Sequence, residues 1–90
     1  MSAVINNPSH SQYELAEEGV TAFANYRREG DVLTIPYVES PPELRGKGTA
    51  GRLMEGVAAH ARAENLKIVP ICGYAVSWFQ RHPEHKDLLK

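Results

Sequence analysis

The hydrophobic pattern of this chain changes its period once, near residue 45, and this change constrains the fold more than any other feature. Before it, apolar residues alternate with polar ones around Tyr13 and Leu15 and again from Val20 to Tyr26, which is the period of two that strands show. After it, apolar residues recur at helical spacing from Ala50 to Ala61, which predicts an amphipathic helix. The sequence therefore predicts antiparallel strands first and a helix packed on them afterwards.

A third strand is predicted from Val32 to Val38, because this segment is rich in β-branched and aromatic residues and follows the turn sequence Arg-Glu-Gly-Asp. It would complete a three-stranded antiparallel meander. Pro36 has no N–H to donate, so we expect the strand to be bulged, splayed or at an edge there. Residues 1–10 are polar and show no periodicity, and we expect a loose lead-in.

After the helix, the hydrophobic pattern predicts one more strand and one more helix. Asn65 suits the left-handed position that ends helices, and the apolar run from Leu66 to Cys72 is long enough for one buried strand. From Tyr74 to Arg81, apolar residues again have helical spacing, and the pattern stops before Pro83. A short second helix is therefore expected, and the whole succession belongs to the α+β class.

Length, charge and cysteine count limit the function. Ninety residues supply one hydrophobic core, so we expect a single domain, 1–90. A formal net charge of −1 gives no general attraction to nucleic acid. One cysteine, no signal-like start and no apolar run of about 20 residues favour a cytoplasmic protein without a membrane span. His82 and His85 flank Pro83 without a clear third ligand, so no metal site is expected.

Glycines and cations surround the start of the predicted helix: Gly46, Gly48, Gly51, Arg45, Lys47 and Arg52. A helix N-terminus offers amides without internal partners and a partial positive charge, which attract phosphate. Judged by glycine spacing alone, a turn that only reverses the chain is as consistent with the sequence as a phosphate-binding turn. The neighbouring cations favour the phosphate-binding turn. The Gly-x-Gly-x-x-Gly pattern does not follow a strand directly and no acid ends the later strand, so a dinucleotide-binding fold is excluded, as is a P-loop.

The segment Arg45-Gly46-Lys47-Gly48-Thr49-Ala50 resembles the Arg/Gln-x-x-Gly-x-Gly/Ala signature of the GNAT N-acetyltransferases. With "PPELRGKG", the helix after it, "LKIVPIC" and "RHPEH", it is similar to the very small single-domain members of that superfamily. The resemblance runs from about Tyr13 to Leu89 and is most specific from Pro41 to Glu84. It implies a GNAT-like α+β fold whose third and "LKIVPIC" strands splay apart around acetyl-CoA, and direct transfer of acetyl to an amine of a small molecule or protein.

The same resemblance implies where the coenzyme would lie. Its contacts would be Val38, Arg45, Gly46, Lys47, Gly48, Thr49, Ala50, Gly51, Tyr74, Phe79, Arg81 and His82. In such a fold the splayed strand has spare backbone groups that suit the amides of the pantetheine arm.

Three residues near the expected acetyl position are candidate catalytic groups. Glu39 can take a proton from an ammonium whose pKa is near 10.4, or it is a solvated surface acid. Cys72 can carry the acetyl group as an intermediate if its pKa is lowered, or it fills space as buried cysteines usually do. Tyr37 stands where the small relatives often have histidine. A backbone N–H near Val38 is the candidate donor to the oxyanion.

Phe79 stands where related enzymes commonly place a tyrosine that protonates the thiolate, and phenylalanine has no proton to give. Tyr74 or Cys72 are the alternative donors, or the thiolate leaves unaided, because a thiol pKa near 8.5 makes it a fair leaving group. This departure leaves open a second function, a non-catalytic acyl-CoA-binding module. The acceptor side is either a shallow cleft or is completed by a second subunit in a weak homodimer.

Overall fold

The computed structural model describes residues 4–90 and contains one five-stranded sheet and two α-helices. The elements are β1 Ile5–Asn7, β2 Gln12–Glu17, β3 Val20–Glu29, β4 Val32–Glu39, α1 Thr49–Ala63, β5 Lys67–Pro70 and α2 Gly73–Arg81, with short 3-10 turns at Pro8–His10, Pro42–Leu44 and Pro83–Leu88. The strands lie in sequence order. They are antiparallel from β1 to β4, and β5 is parallel to β4. The predicted α+β class is confirmed.

The expectation of a loose lead-in over residues 1–10 was wrong for the part that the structure describes. Ile5 to Asn7 form β1 and pair with β2, with Ile5 opposite Glu14, and residues 1–3 lie outside the described residues. Val4 packs against α1, where a Cβ on Gly56 would overlap it. The strand gave no periodic signal because Ile5 itself stays 62% exposed, so backbone pairing rather than burial of a face holds it.

The core lies between one face of the sheet and α1. The helix buries the stripe that its sequence predicted: Leu53, Met54, Val57, Ala58 and Ala61 are all 0% exposed. Burying a large aliphatic side chain of this kind contributes about 1.5–3 kcal/mol. At the start of the stripe Thr49 is buried while Ala50 is only half-buried, because Ala50 lies at the edge of a cleft described below.

Strand β4 is distorted at Pro36, as predicted. Thr34 pairs with Arg27 and Tyr37 with Asn25, so two residues of β4 oppose the single Tyr26 and form a bulge. Beyond the bulge β4 keeps β3 as its neighbour and loses β5, which pairs only with residues 32–35. The N–H groups of residues 71 and 72 both donate to the carbonyl of Ile35, at 3.0 and 3.3 Å, and there the chain turns away. The predicted splaying of the two strands is confirmed.

The chain end returns to the sheet, which the sequence pattern did not predict. Leu88 is 4% exposed, and the Lys90 N–H donates to the carbonyl of Ile68 at 3.0 Å. Asn65 adopts the predicted left-handed conformation, with φ of 57°, and lets the chain reverse from α1 into β5. Over residues 4–90, no helix has the length and hydropathy needed to cross a membrane.

Candidate active site

A cleft of about 360 Å³ lies where β4 separates from β5 and the chain enters α1. Its lining comes from the end of β4, the following loop, the first turn of α1 and the first turn of α2: Val38, Ser40, Leu44, Arg45, Gly46, Gly48, Thr49, Ala50, Gly51 and Tyr74. Eight of these ten were predicted from the sequence as coenzyme contacts. Ser40 and Leu44 were missed, although Leu44, 1% exposed, is the one aliphatic residue of the loop from 40 to 48 and this could have marked it as an anchor.

The first turn of α1 faces this cleft with unpaired backbone donors. The first helical hydrogen bond runs from the Arg52 N–H to the Gly48 carbonyl, 3.0 Å, so the N–H groups of Thr49, Ala50 and Gly51 have no partner inside the helix. Within residues 4–90, no side chain caps this end. These three N–H donors and the positive end of the helix dipole therefore lie at the cleft.

Two glycines before α1 take backbone conformations that bring the chain close to the cleft. Gly46 and Gly48 have φ of +76° and +75°, in the left-handed region that other residues rarely adopt. A Cβ on Gly46 would meet no atom within 4 Å, and one on Gly48 would lie 3.2 Å from Nη1 of Arg52. The backbone of this turn is therefore open to the cleft, because no side chain of Gly46 or Gly48 covers it.

The cations of this region have unequal availability. Lys47 donates to both carboxylate oxygens of Glu18 at 2.9 Å, and Arg52 donates to Glu17 at 3.0 and 2.6 Å. Arg45 is exposed, lines the cleft and forms no ion pair with any residue from 4 to 90. Lys47 and Arg52 are thus paired with acids at the end of β2 and in the turn after it. Arg45 is the cation of this region that is available to contact an anion.

Glu17 is the centre of a small network that the sequence did not reveal. Besides Arg52, the buried Thr49 hydroxyl donates to it at 2.6 Å. The hydrogen bonds from Arg52, and then that from Thr49, lower the pKa of Glu17, so it remains a carboxylate. These hydrogen bonds join residues more than 30 positions apart, so no local sequence pattern predicts them. They fix the first turn of α1 to the end of β2.

None of the three predicted catalytic residues belongs to the lining of the cleft. The Tyr37 hydroxyl donates to Oε1 of Glu39, and Cys72 is joined to the same strand by its N–H, which donates to the Ile35 carbonyl at 3.3 Å. The hydrogen bond to Glu39 is the main cause of a raised pKa of Tyr37. Cys72 is half-buried at the N-cap position of α2. The sequence placed Tyr37 and Glu39 on one strand and Cys72 at the end of another, and the parallel pairing of β4 with β5 brings these two segments to the same region of the sheet.

Tyr74 lies in the cleft wall and retains its proton. Burial raises the pKa of its hydroxyl, while the charge of Arg81 partly opposes that effect. Its oxygen would be 4.0 Å from a Cβ added to Gly51, which places the hydroxyl beside the first turn of α1. A protonated phenol in this position is a proton donor within the cleft.

Four predicted contacts lie outside the cleft lining, namely Lys47, described above, and Phe79, Arg81 and His82. Phe79 is 4% exposed and packs edge-on against Trp78, with ring centroids 5.0 Å apart. The His82 ring stacks on Trp78 at 4.1 Å, and its Nδ1–H donates to the Trp78 carbonyl at 2.7 Å. Arg81 is exposed near the end of α2. We assign none of these three residues to the coenzyme contacts proposed below.

Among residues 4–90, one group of side chains has the composition of a metal site, namely Glu55, Glu84 and His85. Arg62 donates to Nδ1 of His85 at 3.2 Å, and Nε2 of the same ring faces Glu55 at 2.8 Å. With Nδ1 accepting, Nε2 carries the ring proton and donates to the carboxylate. The nitrogen that a metal would need is therefore protonated, and a guanidinium cation lies beside it.

Comparison with known proteins agrees with this architecture. A family model described as GCN5-related N-acetyl-transferase matches residues 12–88. The fold is also similar to the NMR structure of a GCN5-like candidate N-acetyltransferase from Staphylococcus aureus, with a TM-score of 0.77 and 22% sequence identity over 97% of this chain and 86% of that one. At this identity the structural likeness concerns the fold. No curated protein matches the sequence.

Proposed function

This chain belongs to the GCN5-related N-acetyltransferase family, and we propose that it binds acetyl-CoA in the cleft beside α1 and transfers the acetyl group to an amine. The observation that carries the proposal is the set of unpartnered N–H groups at Thr49, Ala50 and Gly51, reached across a turn with two positive-φ glycines. Backbone donors in this arrangement suit a diphosphate. Arg45, the unpaired cation of the cleft, adds a charge-assisted contact.

The splayed part of β4 supports the placement of the rest of the coenzyme. Residues 36–39 have a strand neighbour on one side only, so their outward backbone groups are free to pair with amides of a bound arm. Val38 lies in this stretch and in the cleft wall. A backbone N–H here is the proposed donor to the developing oxyanion, because fixed amides stabilise such charge without reorganising.

The bound coenzyme supplies an acetyl group activated as a thioester. Glu39 is the proposed base: an alkylammonium has a pKa near 10.4, so it must lose a proton before its nitrogen can attack. Tyr37 orients the Glu39 carboxylate by donating its hydroxyl hydrogen to it. Tyr74 is the proposed source of the proton that the thiol product requires, because it lines the cleft and carries a protonated hydroxyl. This assignment replaces the acid that Phe79 cannot provide.

Cys72 supports a second route, in which its thiolate takes the acetyl group first and passes it to the amine. Its position at the N-cap of α2 is the observation that favours this route, since a helix N-terminus stabilises a thiolate. Direct attack remains our proposal. Cys72→Ser separates the two, because it leaves direct transfer nearly unchanged and abolishes transfer through an acetyl-cysteine.

Calorimetry with coenzyme A and a thiol-release assay with acetyl-CoA and a panel of amines test the function. We expect binding that Gly48→Trp abolishes and Gly73→Ala retains, and release of thiol that Glu39→Gln slows at least tenfold without weakening binding. Binding with no release across the panel would support the acyl-CoA-binding module instead. Absence of binding in the folded protein would refute both.

A further inference from the structure

One face of the sheet around Glu39 is open and carries both acidic and aromatic side chains. Phe23 on β3 pairs with Glu14 on β2 and with Glu39 on β4, so the three side chains leave the sheet on the same face. Tyr37 precedes Glu39 by two residues and shares that face, and its ring centroid lies 6.1 Å from that of Phe23. Tyr37 is 45% exposed. We call these four residues the acidic aromatic row.

The two carboxylates of this row have no cationic partner. Neither Glu14 nor Glu39 forms an ion pair with any residue that the structure describes, and each receives one neutral hydrogen bond, from Asn7 at 3.2 Å and from the Tyr37 hydroxyl respectively. Arg27 extends the same face of β3, but it lies 3.7 Å from Glu29. The row is therefore negative, with two acids separated by an aromatic ring.

The spacing of the acids is set by the sheet. Glu14 and Glu39 both pair directly with Phe23, one strand away on each side. Because neighbouring strands lie about 4.8 Å apart, the two Cα atoms are about 10 Å apart. A flexible chain with an amine at each end can span this distance across the Phe23 ring, and a compact amine cannot.

We infer that the acceptor is an aliphatic diamine or polyamine, held across the acidic aromatic row. The inference rests on the proposed acetyl transfer. One ammonium lies at Glu39, where it loses a proton and becomes the nucleophile; the other remains charged at Glu14. The methylene chain crosses Phe23, whose ring offers apolar contact and whose face, like that of Tyr37, attracts a cation. Charge complementarity thus selects this occupant over neutral or anionic amines.

Matched acceptors test the assignment. We expect 1,5-diaminopentane to have a kcat/KM per amino group about two- to fivefold above that of n-pentylamine, the range for one solvent-exposed ion pair. Glu14→Gln should reduce this ratio to near one by lowering kcat/KM for the diamine. Asp31→Asn, which removes an exposed acid of the β3–β4 turn that forms no ion pair within residues 4–90, should keep the ratio. High salt should also erase the preference, because exposed charges are screened.

A binding measurement makes the test independent of turnover. Titration of the protein with 1,5-diaminopentane, followed by NMR, should shift the ring signals of Phe23 and Tyr37. The shifts should weaken in Glu14→Gln and persist in Asp31→Asn. Equal use of the two amines, or a preference that survives Glu14→Gln, would overturn the inference and leave acetyl transfer intact. If no amine reacts, acetyl transfer fails, and ring shifts alone then decide whether this face binds diamines.

Discussion

Alanine at Gly48 and at Gly73 should change the stability of the protein in opposite directions. Gly48 has φ of +75°, where an L side chain costs about 1–2 kcal/mol. Gly73 opens α2 outside the left-handed region, and a Cβ there would meet nothing within 4 Å. Alanine at Gly73 restricts the unfolded chain without straining the folded one, which should stabilise the protein by about 0.4–1 kcal/mol.

A third variant separates backbone strain from side-chain crowding. Gly46 has φ of +76° and open space around its Cβ position, whereas a Cβ on Gly48 would lie 3.2 Å from Nη1 of Arg52. The Arg52 guanidinium is the far end of a flexible side chain and can shift by a few tenths of an ångström at little cost. Gly46→Ala and Gly48→Ala should therefore lose similar stability, with any excess at Gly48 reporting disturbance of the Arg52 contact with Glu17.

Urea unfolding monitored by circular dichroism measures these changes, provided that the slope with denaturant is the same for all variants. For a domain of this size, 1 kcal/mol corresponds to a shift in Tm of about 4–8 °C. The reasoning is refuted if Gly48→Ala is as stable as the wild type, or if Gly73→Ala is destabilised as much as Gly48→Ala. The first result would mean that the turn before α1 does not depend on glycine, and the second that the start of α2 does not accept a Cβ at Gly73.

Two further predictions concern polar contacts between β-strands and α1. Tyr13→Phe removes the 2.6 Å hydrogen bond between the buried Tyr13 hydroxyl and Nδ1 of His60 and should lower the free energy of unfolding by about 1 kcal/mol; an unchanged thermal unfolding curve would contradict it. Because Arg52 lowers the pKa of Glu17 below its unfolded value of 4.5, the contribution of Glu17 is complete above that pH and is lost as the pH falls through the lowered folded value. Glu17→Gln should therefore lose less stability than the wild type on acidification, and parallel plots of Tm against pH would show this idea to be wrong.

Much of the fold follows from local patterns. The period of two before residue 40 and of 3.6 after residue 48 predicted β2, β3, β4 and α1, because burial of one face imposes those spacings on the sequence. Pro36 predicted the distortion of β4, since proline removes a ladder donor wherever the strand lies. Hydrophobic periodicity did not predict strand β1, because its side chains lie largely outside the core.

The candidate site was only partly predictable. The glycine turn, with Gly46 and Gly48, was found because its residue types are required by backbone conformation. The ion pair between Lys47 and Glu18 was not predicted, because nothing in the sequence around a carboxylate indicates which distant cation it will contact. The same limit applies to Phe79, whose spacing fits a helix but whose burial depends on what packs against α2.

The sequence by itself determined the succession of elements, the turn that leads into α1 and the residue types available for chemistry, because these depend on neighbours a few positions away. Only the tertiary structure decided which of those residues meet. The parallel pairing of β4 with β5 brings the strand that carries Tyr37 and Glu39 next to the segment that ends in Cys72, and sheet register sets Glu14 and Glu39 on the two sides of Phe23. Such contacts join residues far apart along the chain, and their geometry follows from how strands align, which no short stretch of sequence specifies.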